Sequence, residues 1–239
     1  MDDVDNMDGM DLQNNDVKGR DPMLKRASIA VVTMAVVVGG CHKAVEKPAE
    51  KSGVAAAASE KASMKLFNGR DLTGWEATGK AKWVVENGML VGTQGDKNAP
   101  GDLFTTQSFR DFEATVTYRV EWPCNSGVWF RFQSPAKAYQ ADILEYKNPV
   151  AYSGSLYCPG YSKIFLAANL DKTLENHTGW NTMKIRAQGE HLEVWLNGRE
   201  TANVRDKTSD SGKIGFQVHP GAEFGPMKIV VRAVQLQEL

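Results

Sequence analysis

Three short apolar runs carry the residues of this chain best suited to proton transfer and anion binding. Asn125-Ser126-Gly127-Val128-Trp129-Phe130-Arg131 is followed by Tyr139-Gln140-Ala141-Asp142-Ile143-Leu144-Glu145, and Gly215-Phe216-Gln217-Val218-His219 lies further on. Imidazole as a class titrates near pH 6.5, which makes His219 the candidate general base at neutral pH. The guanidinium of Arg131 is matched to an oxyanion or an anionic part of a substrate. Asp142 and Glu145 are candidates to protonate a leaving oxygen, orient the imidazole or hold a divalent ion. Trp129 offers a flat face to a sugar ring, with Gln140, Gln217 and Asn125 as hydrogen-bonding contacts.

Strands must position these groups, and side chains along a strand alternate with period two. Val128, Phe130 and Phe132 are then expected to face a core, with Trp129, Arg131 and Gln133 on the opposite face. The same parity pairs Gln140 with Asp142 and Gln217 with His219. An antiparallel sheet ordinarily has one wet face, so each polar residue taken singly fits plain solvation. His219, just before Pro220-Gly221, also fits a strand end. Arg131 and Asp142 also fit a cross-strand ion pair worth about 0.2–1 kcal/mol. Taken as a set with Trp129, these residues point to a site.

The surrounding chain reads as short strands separated by turns. Trp83–Glu86, Asn87-Gly88 and Met89–Gly92 form a hairpin pattern in which Asn-Gly fits the positive φ angles of a type I′ turn. His191–Leu196, Asn197-Gly198 and Arg199–Val204 repeat it. Asp111–Trp122, Trp180–Ala187, Lys213–His219 and Met227–Leu239 supply further strands, and Leu166–Leu174 reads as a long loop with one helical turn. Ten or so strands at this spacing predict an all-β fold, a two-sheet antiparallel β-sandwich or jelly roll. A net charge of −1 argues against a broad nucleic-acid surface.

The N-terminal part carries a different signal. Met23-Leu24-Lys25-Arg26, the apolar run Ala27–Val38 and Gly39-Gly40-Cys41 have the order of a basic n-region, a short h-region and a cleavage site. The run is short for a bilayer span, and Val38-Gly39-Gly40-Cys41 resembles a bacterial lipoprotein signal with Cys41 as the lipidated residue. Residues 23–41 are thus expected to be a signal peptide and residues 42–64 a tether rich in Ala, Lys, Glu and Ser. The acidic residues 1–22 do not fit an n-region, so translation is expected to begin at Met23. The working domain is expected to be 65–239, in the cell envelope on the periplasmic or outer-membrane side, tied to the membrane only by lipid. An oxidising envelope permits a disulfide between Cys124 and Cys158 without requiring it. Two isolated Cys and scattered His give no zinc spacing.

Leu66-Phe67-Asn68-Gly69-Arg70-Asp71-Leu72-Thr73-Gly74-Trp75 resembles the opening signature of the bacterial 3-keto-disaccharide hydrolase domain family. Further blocks follow in order: Asp111-Phe112-Glu113, Asn125–Arg131, Tyr139–Glu145, Gly179–Thr182, Val194–Gly198 and Ile214–His219. The resemblance covers 65–239 and implies a concanavalin A-like sandwich in exported or lipid-anchored proteins of glycan-degrading bacteria. Gln140 stands where the family often has Glu, and Val218 where an Asp often precedes the His. Both departures remove a carboxylate.

The substrate class implied is a sugar oxidised at C3. Its C2 hydrogen is acidic because the carbanion is an enolate, so one base can start elimination of the C1 substituent, with a cation or metal on the enolate oxygen. No redox-cofactor motif is visible, so a separate sugar 3-dehydrogenase is expected to make the ketone; a divalent metal is compatible with the elimination. Gln140–Glu145 also resembles the catalytic strand of laminarinase-type retaining glycosidases, yet a neutral amide at Gln140 cannot form their glycosyl ester. A non-catalytic carbohydrate-binding domain would use the same groove, and an envelope scaffold would neither bind nor turn over a sugar.

Overall fold

The computed structural model describes residues 62–239. The expectations for residues 1–22, the signal segment with Cys41 and nearly all of the tether lie outside the described residues. Fifteen strands occur among the described residues: β1 (Met64–Lys65), β2 (Trp75–Gly79), β3 (Lys82–Glu86), β4 (Met89–Thr93), β5 (Gly101–Phe109), β6 (Phe112–Glu121), β7 (Asn125–Ser134) and β8 (Lys137–Lys147) come first. Then follow β9 (Val150–Tyr157), β10 (Phe165–Asn169), β11 (Asn181–Gln188), β12 (His191–Leu196), β13 (Arg199–Arg205), β14 (Gly212–Val218) and β15 (Lys228–Glu238).

They form two antiparallel sheets, as the turn spacing predicted. One runs β13-β12-β11-β6-β15-β4-β3 with β1 added on β15; the other runs β10-β9-β8-β7-β14-β5-β2. Between them lies a core in which Leu103, Val128, Phe130, Tyr139, Ile143, Phe216 and Val218 of the second sheet meet Phe112, Val116, Met183, Ile185, Val194 and Val231 of the first. Burying each such aliphatic or aromatic side chain stabilises the fold by about 1.5–3 kcal/mol relative to exposure. Both Asn-Gly hairpins form as expected. Asn87 and Asn197 take φ of 50° and 49°, their following glycines 76° and 81°, and the flanking registers are Glu86↔Met89 and Leu196↔Arg199.

Five strands arise where the local pattern indicated none. β1, β2, β5, β9 and β10 owe their pairing to sheet neighbours: β9 carries Gly154 at φ 89°, and β10 shifts register twice against it. Of the expected loop at 166–174, only Lys172–Leu174 is a helical turn, of the 3₁₀ type. Cys124 and Cys158 are both buried free thiols, so the disulfide that the envelope would permit is not formed.

Candidate active site

The outer face of the second sheet gathers polar side chains in rows. Asp142 opposes Gly127, Gln217 opposes Asp102, and Asp102 opposes Thr78. Because Phe216 opposes Val128, Gln217 is level with Gly127, so Asp142, Gly127, Gln217, Asp102 and Thr78 form one row across β8, β7, β14, β5 and β2. The neighbouring row is Gln140, Trp129, Gly215, Phe104 and Glu76. Tyr139, Ala141, Phe216 and Val218 point into the core, which leaves Gln140, Asp142, Gln217 and His219 outward by alternation.

Two glycines shape this face. A Cβ on Gly127 would meet Gln140 Cγ at 2.5 Å, so the missing side chain is what lets Gln140 lie across β7. A Cβ on Gly215 would come within 2.4 Å of the Phe104 ring, so its absence lets Phe104 close over β14. Phe104 stacks on Phe132 with centroids 4.2 Å apart, and Trp129 meets Phe132 edge-on at 5.5 Å and Tyr157 at 6.2 Å. The result is an aromatic wall beside the polar row. At its foot opens a depression of about 590 Å³ lined by Thr78, Asp102, Phe104, Phe132, Gln133 and Lys213.

Burial sets the charge state of the carboxyls here. Asp102 is lifted by burial to about 6, against the opposing pull of the Trp129 indole N–H, which donates to its Oδ1 at 2.9 Å. Asp142 is 3% exposed, and burial holds its pKa well above the usual carboxylate range. Turned so that its nitrogen donates, the Gln140 amide lies 2.7 Å from Asp142 Oδ1, while its oxygen accepts from Trp129 Nε1 at 3.3 Å. Gln217 lies 3.1 Å from the same amide. Asp102, Trp129, Gln140 and Asp142 are therefore one connected polar chain, with the carboxyl whose ionisation burial most disfavours at its inner end.

His219 follows β14 by one residue and remains partly exposed. Its Nδ1 sits 2.7 Å from the Pro220 carbonyl, an oxygen that can only accept, so Nδ1 carries the proton and the neutral ring keeps a free lone pair on Nε2. Gln94 holds the backbone there by donating to His219 O at 3.0 Å and Gly221 O at 2.8 Å, and Phe224 packs edge-on against the ring at 5.4 Å. Continuing the β14–β7 register brings His219 level with Asn125, a buried residue on the same face.

Two of the expected catalytic residues are elsewhere. Arg131 takes φ 48°, and a register shift follows Phe130, so alternation breaks there and Phe132 rather than Arg131 joins Trp129 on the outer face. Arg131 is instead fully buried. Its Nε donates to Arg110 O at 2.7 Å, its two terminal nitrogens to Gly189 O at 2.7 Å, Ser209 O at 3.3 Å and Asp111 Oδ1 at 3.0 Å. The expected ion pair with Asp142 is thus replaced by one with Asp111. Glu145 has the parity of the core residue Ile143, lies at the end of the sandwich and pairs with His177 at 3.1 Å. Trp129, 6% exposed, backs the wall and has little free face for a sugar.

Sequence reasoning missed two acids. Asp102 stands in Gly101-Asp102-Leu103-Phe104, where an alternating reading of that strand would have put it outward beside Phe104. Glu175 comes from the long loop and is buried. It accepts from the Tyr118 hydroxyl and from Asn181 Nδ2, both at 2.9 Å, and burial raises it to about 7 against the pull of the Tyr118 and Ser153 hydroxyls. No signal in the sequence marks it. Among the described residues no three His, Cys, Asp or Glu side chains converge as a metal-binding group.

Residues 62–237 match the family described as the 3-keto-alpha-glucoside-1,2-lyase-like domain. A curated 3-keto-disaccharide hydrolase of Bacteroides thetaiotaomicron is 29% identical over 77 residues, 28% of this chain and 27% of that protein. The match therefore spans about a quarter of the relative's length. Among solved structures, a Bacillus subtilis protein of unknown function with a galectin-like fold has a TM-score of 0.59 at 16% identity, covering 74% of this chain and 94% of that one. The carbohydrate recognition domain of Emp47p has a TM-score of 0.56 at 16% identity, covering 76% and 98%. At such identities the structural likeness carries the fold alone, a two-sheet antiparallel sandwich.

Proposed function

Because the chain belongs to the 3-keto-alpha-glucoside-1,2-lyase-like domain family, we propose that it cleaves the glycosidic bond of 3-keto-glycosides by removal of the C2 proton and elimination, followed by addition of water. Family membership and the name of the curated relative support an enzyme acting on glycosidic bonds. The observation that carries the reading is the juxtaposition on one sheet face of a partly exposed imidazole with a free Nε2, a carboxyl poised near neutrality and an aromatic wall.

In this reading Nε2 of His219 takes the C2 proton. The electron pair is held as an enolate on the C3 oxygen, and amide N–H groups of Gln217 take the oxyanion role that the buried Arg131 leaves open. Asn125 and Gln140 line the ground beneath the sugar, and Asp142 fixes Gln140. A retaining displacement lacks its nucleophile, since position 140 is an amide. The protein is further proposed to be anchored in the envelope through lipid on Cys41; fatty-acid labelling that persists in Cys41→Ala would remove that part.

The test is incubation of the protein with 3-keto-trehalose or a 3-keto-glucoside in deuterium oxide, with and without a chelator, followed by proton NMR. Release of the C1 group together with loss of the C2 proton signal is expected. Substrate that stays intact even with added divalent ions, yet is bound, would make the protein a carbohydrate-binding domain.

A further inference from the structure

We propose that Asp102 is the catalytic acid that protonates the departing glycosidic oxygen, working with His219 as base from the far side of Gln217. The assignment rests on the cleavage reaction proposed above. Gln217 is directly opposite Asp102, and His219 lies two residues further along, on the diagonal. Diagonal neighbours in an antiparallel pair are about 7–8 Å apart, with their Cβ atoms somewhat closer, a gap that leaves room for the C1–C2 bond of a pyranose between the two groups. On its other side Asp102 borders the depression walled by Phe104 and Phe132. A sugar ring over Gln217 and His219 would thus direct its C1 substituent past Asp102 into that depression.

The other carboxyls are less well placed. Asp142 is three strand steps from Asp102, about 14 Å at the usual strand spacing, and is buried with Gln140 on its Oδ1. Glu145 belongs to the other parity and is engaged by His177. Glu76 on β2 pairs with Lys213 of β14 at 3.0 Å, so the two formal charges nearest Asp102 on its flanking strands satisfy each other. Trp129 reaches over from β7 to hold Oδ1, and no second hydrogen bond is made to the carboxyl among the described residues. Partial burial keeps a proton on Asp102 at mildly acidic pH, as an acid catalyst requires.

The steps balance without a further reactant besides water. His219 Nε2 removes the C2 proton, and the C–H electron pair becomes the enolate of the C3 carbonyl. As the carbonyl re-forms, a C1=C2 bond forms, the C1–O bond breaks, and the leaving oxygen takes the proton of Asp102. Water then adds its oxygen to C1 and gives a proton to the Asp102 carboxylate, while the imidazolium returns its proton to C2. The sum is hydrolysis to a 3-keto sugar and an alcohol.

The experiment compares Asp102→Asn with the unsubstituted protein on two substrates: 3-keto-trehalose, whose sugar leaving group needs a proton, and a 4-nitrophenyl 3-keto-glucoside, whose leaving group departs as a stable anion. Asn keeps an acceptor for Trp129. The expected result is a loss of about 10²–10⁴-fold in kcat/KM on 3-keto-trehalose, a near-unchanged kcat/KM for nitrophenolate release, which precedes the hydration step, and loss of the alkaline limb of the pH profile. Asp102→Glu is expected to recover part of the lost rate. Equal losses on both substrates, or no loss, would overturn the assignment, since a structural role does not distinguish leaving groups. If Asp102→Asn fails to fold, the same comparison on Asp102→Glu decides, with a selective loss on 3-keto-trehalose expected. Failure of the unsubstituted protein on both substrates would instead sink the cleavage reading, and the Asp102 role with it.

Discussion

Trp129 and Asp102 are joined by a 2.9 Å hydrogen bond although two strand steps separate them, the indole reaching across the intervening strand where Gly215 stands level with it. The contact ties the aromatic wall to the half-buried carboxyl of the central row. The indole N–H favours the ionised form, so it holds Asp102 below where burial alone would put it. Trp129→Phe preserves the wall and removes the donor. The Asp102 pKa, followed by carboxyl carbon NMR, is expected to rise above about 6 in this variant; a fall would show that the hydrogen bond is not what opposes desolvation.

His219 and Arg131 separate function from stability. His219→Ala removes a partly exposed imidazole held by its neighbour's carbonyl and an aromatic edge. It is expected to cost activity at least about 100-fold while leaving the melting temperature nearly unchanged. Arg131→Met deletes a buried cation that serves three carbonyls and Asp111, and a loss on the order of 3–5 kcal/mol in a urea titration is expected. Equal stability of the Arg131 variant would mean that these loops do not depend on the guanidinium.

Stability is expected to fall as pH rises from mildly acidic to mildly alkaline. Asp102, Asp142 and Glu175 all have folded-state pKa values raised by burial, Asp102 to about 6 and Glu175 to about 7. The folded chain thus holds protons that the unfolded chain releases near pH 4. Their contribution is complete below the unfolded values and is lost as pH climbs through the folded ones. Glu175 alone accounts for an amount on the order of 3 kcal/mol. Thermal melts should therefore show a midpoint that declines between pH 5 and pH 8, and Glu175→Gln should flatten the decline. A midpoint that rises over this range would contradict the assigned protonation.

Gly127 tests the packing beneath the site. In Gly127→Ala the new methyl meets the Cγ and Cδ of Gln140 at 2.5 and 2.6 Å, so the Gln140 side chain must leave β7 and release Asp142. A destabilisation of about 1–3 kcal/mol is expected, together with a lowered Asp142 pKa as water reaches the carboxyl. An unperturbed Asp142 would show that Gln140 is not its cover.

The local pattern of the sequence was enough for the two sheets, the Asn-Gly hairpins and the sharing of one face by Gln140 and Asp142, and by Gln217 and His219. These follow from period-two alternation and turn chemistry, which act over a few residues. Arg131 escaped that logic because a single left-handed residue resets the parity of everything after it, and nothing in Phe130-Arg131-Phe132 announces the bulge. The surroundings of Asp102 come from residues on β7 and β14 that are remote in sequence, and those of Asp142 from the Gln140 laid over Gly127. The sequence by itself determined which side chains alternate and where the chain turns. Only the tertiary structure decided which of them lose water, because desolvation depends on neighbours that pack from other strands.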